Sequence, residues 1–264
     1  MRAFLLVYFF LTSPFSVTAQ ESFKHELFDR VLRGYVDERG LVDYVGLQGQ
    51  SQDLESYVAL IGKHSPDNSP GLFPSPDARL AYWINAYNAL ALYSVVQAYP
   101  VKSVKEIKWF YGFFNRIKHL VGGQKYTLKH IEHEIVRKRF PDPRIHVGLN
   151  CASMGCPILP PKAFESQQVI EDLDAHMYTF LSESRNVHID YEKETIFLSE
   201  ILNEFQADFT SWYEKEYEIE NATIIDYLKL FLPQRDKEFL AKHPSAKIEY
   251  VAYDWRLNDQ EISR

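Results

Sequence analysis

Residues 77–100 read DARLAYWINAYNALALYSVVQAYP. Apolar side chains run almost all the way round a helix of that length, so it has to be buried on every side. Ser75-Pro76-Asp77 supplies a start: a hydroxyl to cap free N–H groups, a proline for the first turn, and a carboxylate at the positive end of the dipole. Pro100 supplies the stop. Arg79, Asn85 and Asn88 argue against a membrane span. A chain that must wrap such a helix needs a large apolar complement. The 46% hydrophobic and 15% aromatic content of the 264 residues is ample for it.

The rest of the sequence mixes helical and strand signals. Apolar residues at helical spacing predict helices over 22–36, 50–63, 128–140 and 168–184, with two or more further helices up to about residue 241. The segment 41–48, LVDYVGLQ, reads as short and extended. IKHLVGGQKYTL predicts a hairpin turning at Gly122-Gly123, and NVHIDYEKETIFLS a second one. Residues 247–255 read as a closing strand. The longest irregular stretch is the Pro/Ser/Gly-rich 63–77. This mixture predicts a single α+β domain, with the buried central helix packed on a small mixed or antiparallel sheet with hairpins.

The first residues, MRAFLLVYFFLTSPFSVTAQES, have a positive start, a short apolar run and the small-residue pattern Val17-Thr18-Ala19. That is the layout of a secretory signal peptide over 1–19, which leaves residues 20–264 as one domain and predicts a secreted or periplasmic protein. The apolar run is too short for a comfortable membrane span, so no stable membrane insertion is expected after cleavage. A net charge of −7 without a basic cluster excludes a nucleic-acid-binding role.

The chemistry concentrates in RIHVGLNCASMGCPIL, residues 144–159, which hold the chain's two cysteines. Alternation over 144–152 reads as a strand, with Ile145, Val147, Leu149 and Cys151 on one face and His146, Gly148 and Asn150 on the other. Cys151 and Cys156 are spaced for a local disulfide across a tight Met154-Gly155 turn. Alternatively, Cys151 is a free nucleophile, activated by a nearby imidazole, or both thiols are buried and inert. His133, on the preceding helix, and His146 are both candidates for that imidazole. Glu132 and His133 are adjacent and cannot easily pair with each other, but both could face one cleft with a third group. Asn85 and Asn88, three apart on the buried helix, either clamp a neighbouring loop or line the cleft; Asn150 is a third cleft candidate. No metal site is expected: C-x4-C is half a tetrahedron, and His130, His133 and Glu134 match no zinc pattern. The spacing is also not that of a C-x-x-C redox pair, and no cofactor is expected.

Seven stretches resemble the DUF547 family, a domain of unknown function found in bacteria, plants and animals. They are VDYVGL (42–47), AYWINAYNAL (81–90), AYP (98–100), LKHIEHEIVR (128–137), PRIHVGLNCASMGCPIL (143–159), LSEILNEFQADF (198–209) and YDWRLND (253–259). The resemblance implies one domain over about 40–260, with Glu132, His133, His146, Cys151 and Cys156 at family motif positions. It also suggests a papain-like or transglutaminase-like relation, although here the histidines precede the cysteines. The leading expectation is an exported thiol-dependent hydrolase or transferase acting on peptide-like amide bonds. In it Cys151 is the nucleophile, His133 or His146 the base, and Glu132 the orienting carboxylate. The alternative is a non-enzymatic binding module with a structural Cys151–Cys156 bridge and a peptide or glycan ligand.

Overall fold

The computed structural model describes residues 22–108 and 111–261, so the expected signal peptide lies outside the described residues. The central helix spans Pro76–Ala98, with the Ser75 hydroxyl accepting from the Ala78 N–H at 3.0 Å. From Leu80 to Leu92 every residue on it is buried, the asparagines included. Its main neighbours are other helices: Tyr44–Gly49, Gln52–Lys63, the segment from Leu128 to Val136, and Val169–Ser182. Of the two small sheets, the larger lies elsewhere, and the smaller touches the helix through Ser94 and His119. A helix that is apolar all round accepts partners on every face, and short amphipathic helices cover a cylinder more completely than one flat sheet.

Two sheets complete the α+β fold. β1 (His119–Val121) and β2 (Gln124–Tyr126) form the first hairpin. Both turn glycines have positive φ, 55° and 80°, which is why Gly122-Gly123 can close it in two residues. β3 (Val187–Asp190), β4 (Thr195–Ser199) and β5 (Lys247–Val251) make a mixed sheet, β3–β4 antiparallel and β4–β5 parallel. This sheet belongs to a second apolar cluster around Met177, Leu198, Phe209 and Tyr227, beside the core built on the central helix. Among the described residues no helix is long and apolar enough to cross a membrane.

Two local readings fail because a local turn outweighs short-range alternation. LVDYVGLQ is not extended: Asp43 accepts the Gly46 N–H at 2.9 Å and starts the helix Tyr44–Gly49, which buries Tyr44 and Leu47 one turn apart. RIHVGLNCA is not a strand. Asp142 accepts the Arg144 N–H at 2.9 Å, and Ile145–Gly148 forms a single helical turn before the chain extends at Leu149. The two-faced separation of His146 from Cys151 therefore does not hold.

The buried asparagines brace loops. Asn85 donates to Phe164 O at 2.7 Å and accepts from Phe164 N at 3.0 Å. Asn88 donates to Gly148 O at 2.8 Å and accepts from Asn150 N at 2.8 Å. Asn150 donates to Pro157 O and accepts from Ala152 N, both at 2.8 Å. Each amide meets backbone with both ends and so clamps a neighbouring loop. Replacing Asn85 by Ala strands a buried N–H and a buried C=O of Phe164. The expected cost is about 2–4 kcal/mol, read as a lowered urea midpoint at unchanged slope.

Candidate functional site

A cavity of about 430 Å³ opens where the thiol loop, the helical segment after Thr127 and the helices following β4 meet. Glu132, His133, His146, Cys151 and Cys156 all line it, so the candidates scattered through the sequence converge on one site. Asn85, Asn88 and Asn150 are not among its lining residues; Asn150 lines a second cavity of about 380 Å³.

The wall carrying Glu132 and His133 owes its shape to a π-helical turn. Thr127 caps Leu128–His130, the chain widens to π geometry over Ile131–Val136, and α-helix resumes at Arg137–Arg139. A π turn inserts a residue into the helical repeat and re-aims the side chains around it, and such turns recur at functional sites. Here Lys129, Glu132 and His133 all reach the same cavity.

The opposite wall is the thiol loop. Cys151 and Cys156 form a disulfide, with Cα atoms 6.3 Å apart. The Cys151 N–H donates to Cys156 Sγ at 3.0 Å, and the Tyr253 hydroxyl lies 3.1 Å from Cys151 Sγ and 3.0 Å from Cys156 Sγ. Burial, and then the Glu132 carboxyl, push the Tyr253 phenol well above its ordinary value, so it keeps its proton. Tyr253 arrives on a C-terminal strap that pairs with the loop: Met154 N donates to Arg256 O and Gly155 N to Asp254 O, both at 2.8 Å, and Asn258 N to Ala152 O at 3.1 Å. Gly155 is required there, since a Cβ would stand 2.9 Å from Asp254 N and 3.0 Å from the Tyr253 ring.

Between the walls runs a chain of polar contacts. His146 Nε2 lies 2.8 Å from Asp208 Oδ2. Arg137 grips the same carboxylate with two bonds, Nε to Oδ2 at 2.7 Å and Nη2 to Oδ1 at 2.8 Å, and places Nη1 2.8 Å from His133 Nδ1. Burial works against the Asp208 charge, but the hydrogen bonds from His146 and Arg137 outweigh it and hold the carboxyl far below the usual carboxylate range. Burial lowers the pKa of His146, with Asp208 opposing, and it lowers that of His133, with the Arg137 and Lys129 charges adding to the effect. The His146 ring stacks on Phe205 with centroids 3.9 Å apart, and the His133 ring lies 6.1 Å from the same phenyl.

The carboxylate that orients an imidazole is therefore Asp208 and not Glu132. Glu132 instead accepts from the Tyr87 hydroxyl at 3.1 Å. Burial raises its pKa to about 7, with the Tyr87 bond opposing and the Glu204 charge adding to the rise. Sequence reasoning missed Asp208, Arg137 and Tyr253. All three sit inside motifs quoted for the family resemblance, but no short-range spacing ties an aspartate at 208 to a histidine at 146. Among the described residues no group of three or more His, Cys, Asp or Glu is placed to hold a metal ion.

The Glu132 shift has a consequence for stability. From about pH 4.5 to about 7 the native carboxyl keeps a proton that the unfolded chain has released, so stability falls as pH rises through that window. Glu132→Gln removes this penalty and still offers Tyr87 an acceptor. The variant is expected to exceed the wild type by on the order of 1–2 kcal/mol near pH 8, and to match it near pH 4. Denaturant titration at the two pH values checks this; an equal gain at both would contradict the assignment.

Residues 73–181 match the family described as "Protein of unknown function, DUF547". The matched segment holds the central helix, the π turn and the thiol loop, whereas Asp208 and Tyr253 lie beyond it. No curated protein and no solved structure matches the chain. The segment that carries the π turn and the thiol loop is thus similar to the DUF547 family.

Proposed function

We propose that the protein is an exported thiol-dependent hydrolase or acyl transferase acting on peptide-like amides, with Cys151 as nucleophile, His146 as base and Asp208 as the group that orients it. The observation that carries the reading is the 2.8 Å bond between His146 Nε2 and Asp208. A carboxylate only accepts, so Nε2 carries the proton and Nδ1 keeps the lone pair. Both the imidazole and Cys151 line the same cavity. This is the base-and-orienter arrangement that nucleophilic catalysis requires. It supports His146 rather than His133, whose Nδ1 faces an arginine.

The thiol has to be released first. A dithiol reductant takes up the two sulfurs' bond: one of its thiolates attacks the disulfide, its second thiolate resolves the mixed disulfide, and Cys151 and Cys156 are left as thiols. His146 Nδ1 then accepts the Cys151 proton, the thiolate adds to the amide carbonyl, and the amine leaves with the proton from the imidazolium. Water or a second amine takes the acyl group from sulfur. The Tyr253 hydroxyl, already within 3.1 Å of both sulfurs, can donate to the thiolate.

The bridge itself favours a second reading, a binding module in which it is permanent. Iodoacetamide labelling of the folded protein after mild dithiol treatment, read by mass spectrometry, separates the two. The thiol reading expects Cys151 to label faster than Cys156. His146→Ala and Asp208→Asn should each slow that labelling at neutral pH by roughly 10-fold or more, because the thiolate fraction falls. A bridge that resists the dithiol until the chain is unfolded sinks the thiol reading and leaves the binding module.

A further inference from the structure

Arg137 donates to His133 Nδ1 at 2.8 Å. A guanidinium has five N–H donors, no lone pair, and a pKa that keeps it charged. The His133 Nδ1 must therefore accept, and the ring's single proton sits on Nε2. Protonating Nδ1 would aim an N–H at a cation that cannot turn away, because two of its other donors are fixed on Asp208 at 2.7 and 2.8 Å. Burial and the charges of Arg137 and Lys129 favour the same neutral form.

His146 carries its proton on Nε2 as well, but there the protonated nitrogen is the one engaged by Asp208. The two rings thus differ in the end that is engaged: the N–H of His146 is taken by Asp208, and the lone pair of His133 by Arg137. They lie against a common phenyl, Phe205, and line a common cavity with Cys151. Acyl transfer to sulfur needs both functions, a base for the thiol and a preorganised donor for the oxygen that becomes negative.

We infer that His133 is the catalytic hydrogen-bond donor to the carbonyl oxygen in acyl transfer at Cys151, with Arg137 as the positioning residue that fixes its tautomer. The inference rests on the Cys151–His146 reading and assigns a residue to the other half of the same step. When the thiolate adds to the carbonyl, the π electrons move to oxygen and His133 Nε2–H donates to that oxyanion. When the carbonyl re-forms, the leaving group departs with the electron pair of its bond and His133 remains neutral throughout.

Two probes of one thiol separate this role from that of the base. Alkylation by iodoacetamide needs only the thiolate and forms no oxyanion. Acetylation by 4-nitrophenyl acetate passes through a tetrahedral oxyanion, expels 4-nitrophenolate and leaves a thioester on Cys151. Both rates are measured on the reduced, folded chain and expressed as the ratio of acetylation to alkylation. His133→Ala is expected to lower that ratio by on the order of 10²-fold, while His146→Ala slows both reactions together and leaves the ratio near the wild-type value. His133→Gln, which keeps an N–H donor, is expected to recover much of the loss. Long-range nitrogen–proton NMR correlations should show the His133 proton on Nε2 in the wild type and a mixture of tautomers in Arg137→Gln.

An unchanged ratio in His133→Ala overturns the inference, as does a His133→Gln ratio no better than that of His133→Ala, or a wild-type proton on Nδ1. Failure of the reduced wild type to alkylate at Cys151 is a different outcome. It overturns the Cys151–His146 reading, and this one with it.

Discussion

Asn85 and Asn88 lie one turn apart on a helix that water does not reach. An amide placed there and left unmet costs about 1–3 kcal/mol for each stranded group, so the chain has to bring partners to it. It brings backbone: Phe164 to Asn85, and Gly148 with Asn150 to Asn88. The second pair fixes the height of the thiol loop against the central helix, and Asn150 passes the constraint on to Ala152 and Pro157. The buried central helix thus sets the position of the cysteine-bearing loop, through the few polar atoms it buries.

The second fixed point is the Arg137 guanidinium, and its place depends on the π turn. In an uninterrupted α-helix, Glu132 and His133 would point about 100° apart. With π geometry over Ile131–Val136 both reach the cavity, and Arg137, resuming α-helix just beyond, can reach across to Asp208 on the helix Gln206–Tyr217. One cation then organises a carboxylate and two imidazoles. This half-buried ion pair is weak evidence of stability, since desolvation offsets part of the Coulomb gain. Its geometric effect is clearer, because a bidentate guanidinium leaves its third donor little freedom, and that donor decides where the His133 proton sits.

Much of the architecture was legible because it depends on local rules. The central helix, its Ser75 cap, the Gly122-Gly123 hairpin and the hairpin leading into β4 all follow from periodicity and turn chemistry. The misread segments are those where one side chain decides. Asp43 caps a helix, and Asp142 turns the chain ahead of one, where apolar alternation suggested extended chain; alternation over a few residues is too short a signal to compete. At the site, the residue types were legible and their partners were not. Cys151, His146 and His133 stand out by chemistry, but Asp208 is 62 residues from His146 and Tyr253 is 102 from Cys151. Only the packing of the second apolar cluster against the first brings them together, and nothing in their own sequence neighbourhoods encodes that approach.

The bridge between Cys151 and Cys156 closes a loop of only five bonds in sequence separation. In the chain-entropy account so short a loop gains about 2 kcal/mol, near the bottom of the usual range. The same loop is already held by three backbone hydrogen bonds from the C-terminal strap and by both ends of the Asn150 amide, each worth about 1 kcal/mol. Arg185 adds a bond to Met154 O at 2.6 Å and one to Cys156 O at 3.2 Å. Cutting the sulfur–sulfur bond therefore leaves most of what positions the loop. The Tyr253 hydroxyl lies within reach of each sulfur. A structural staple would be expected where other restraints are few. Here the restraints are dense, and the bond they surround lines the cavity that His133 and His146 also line.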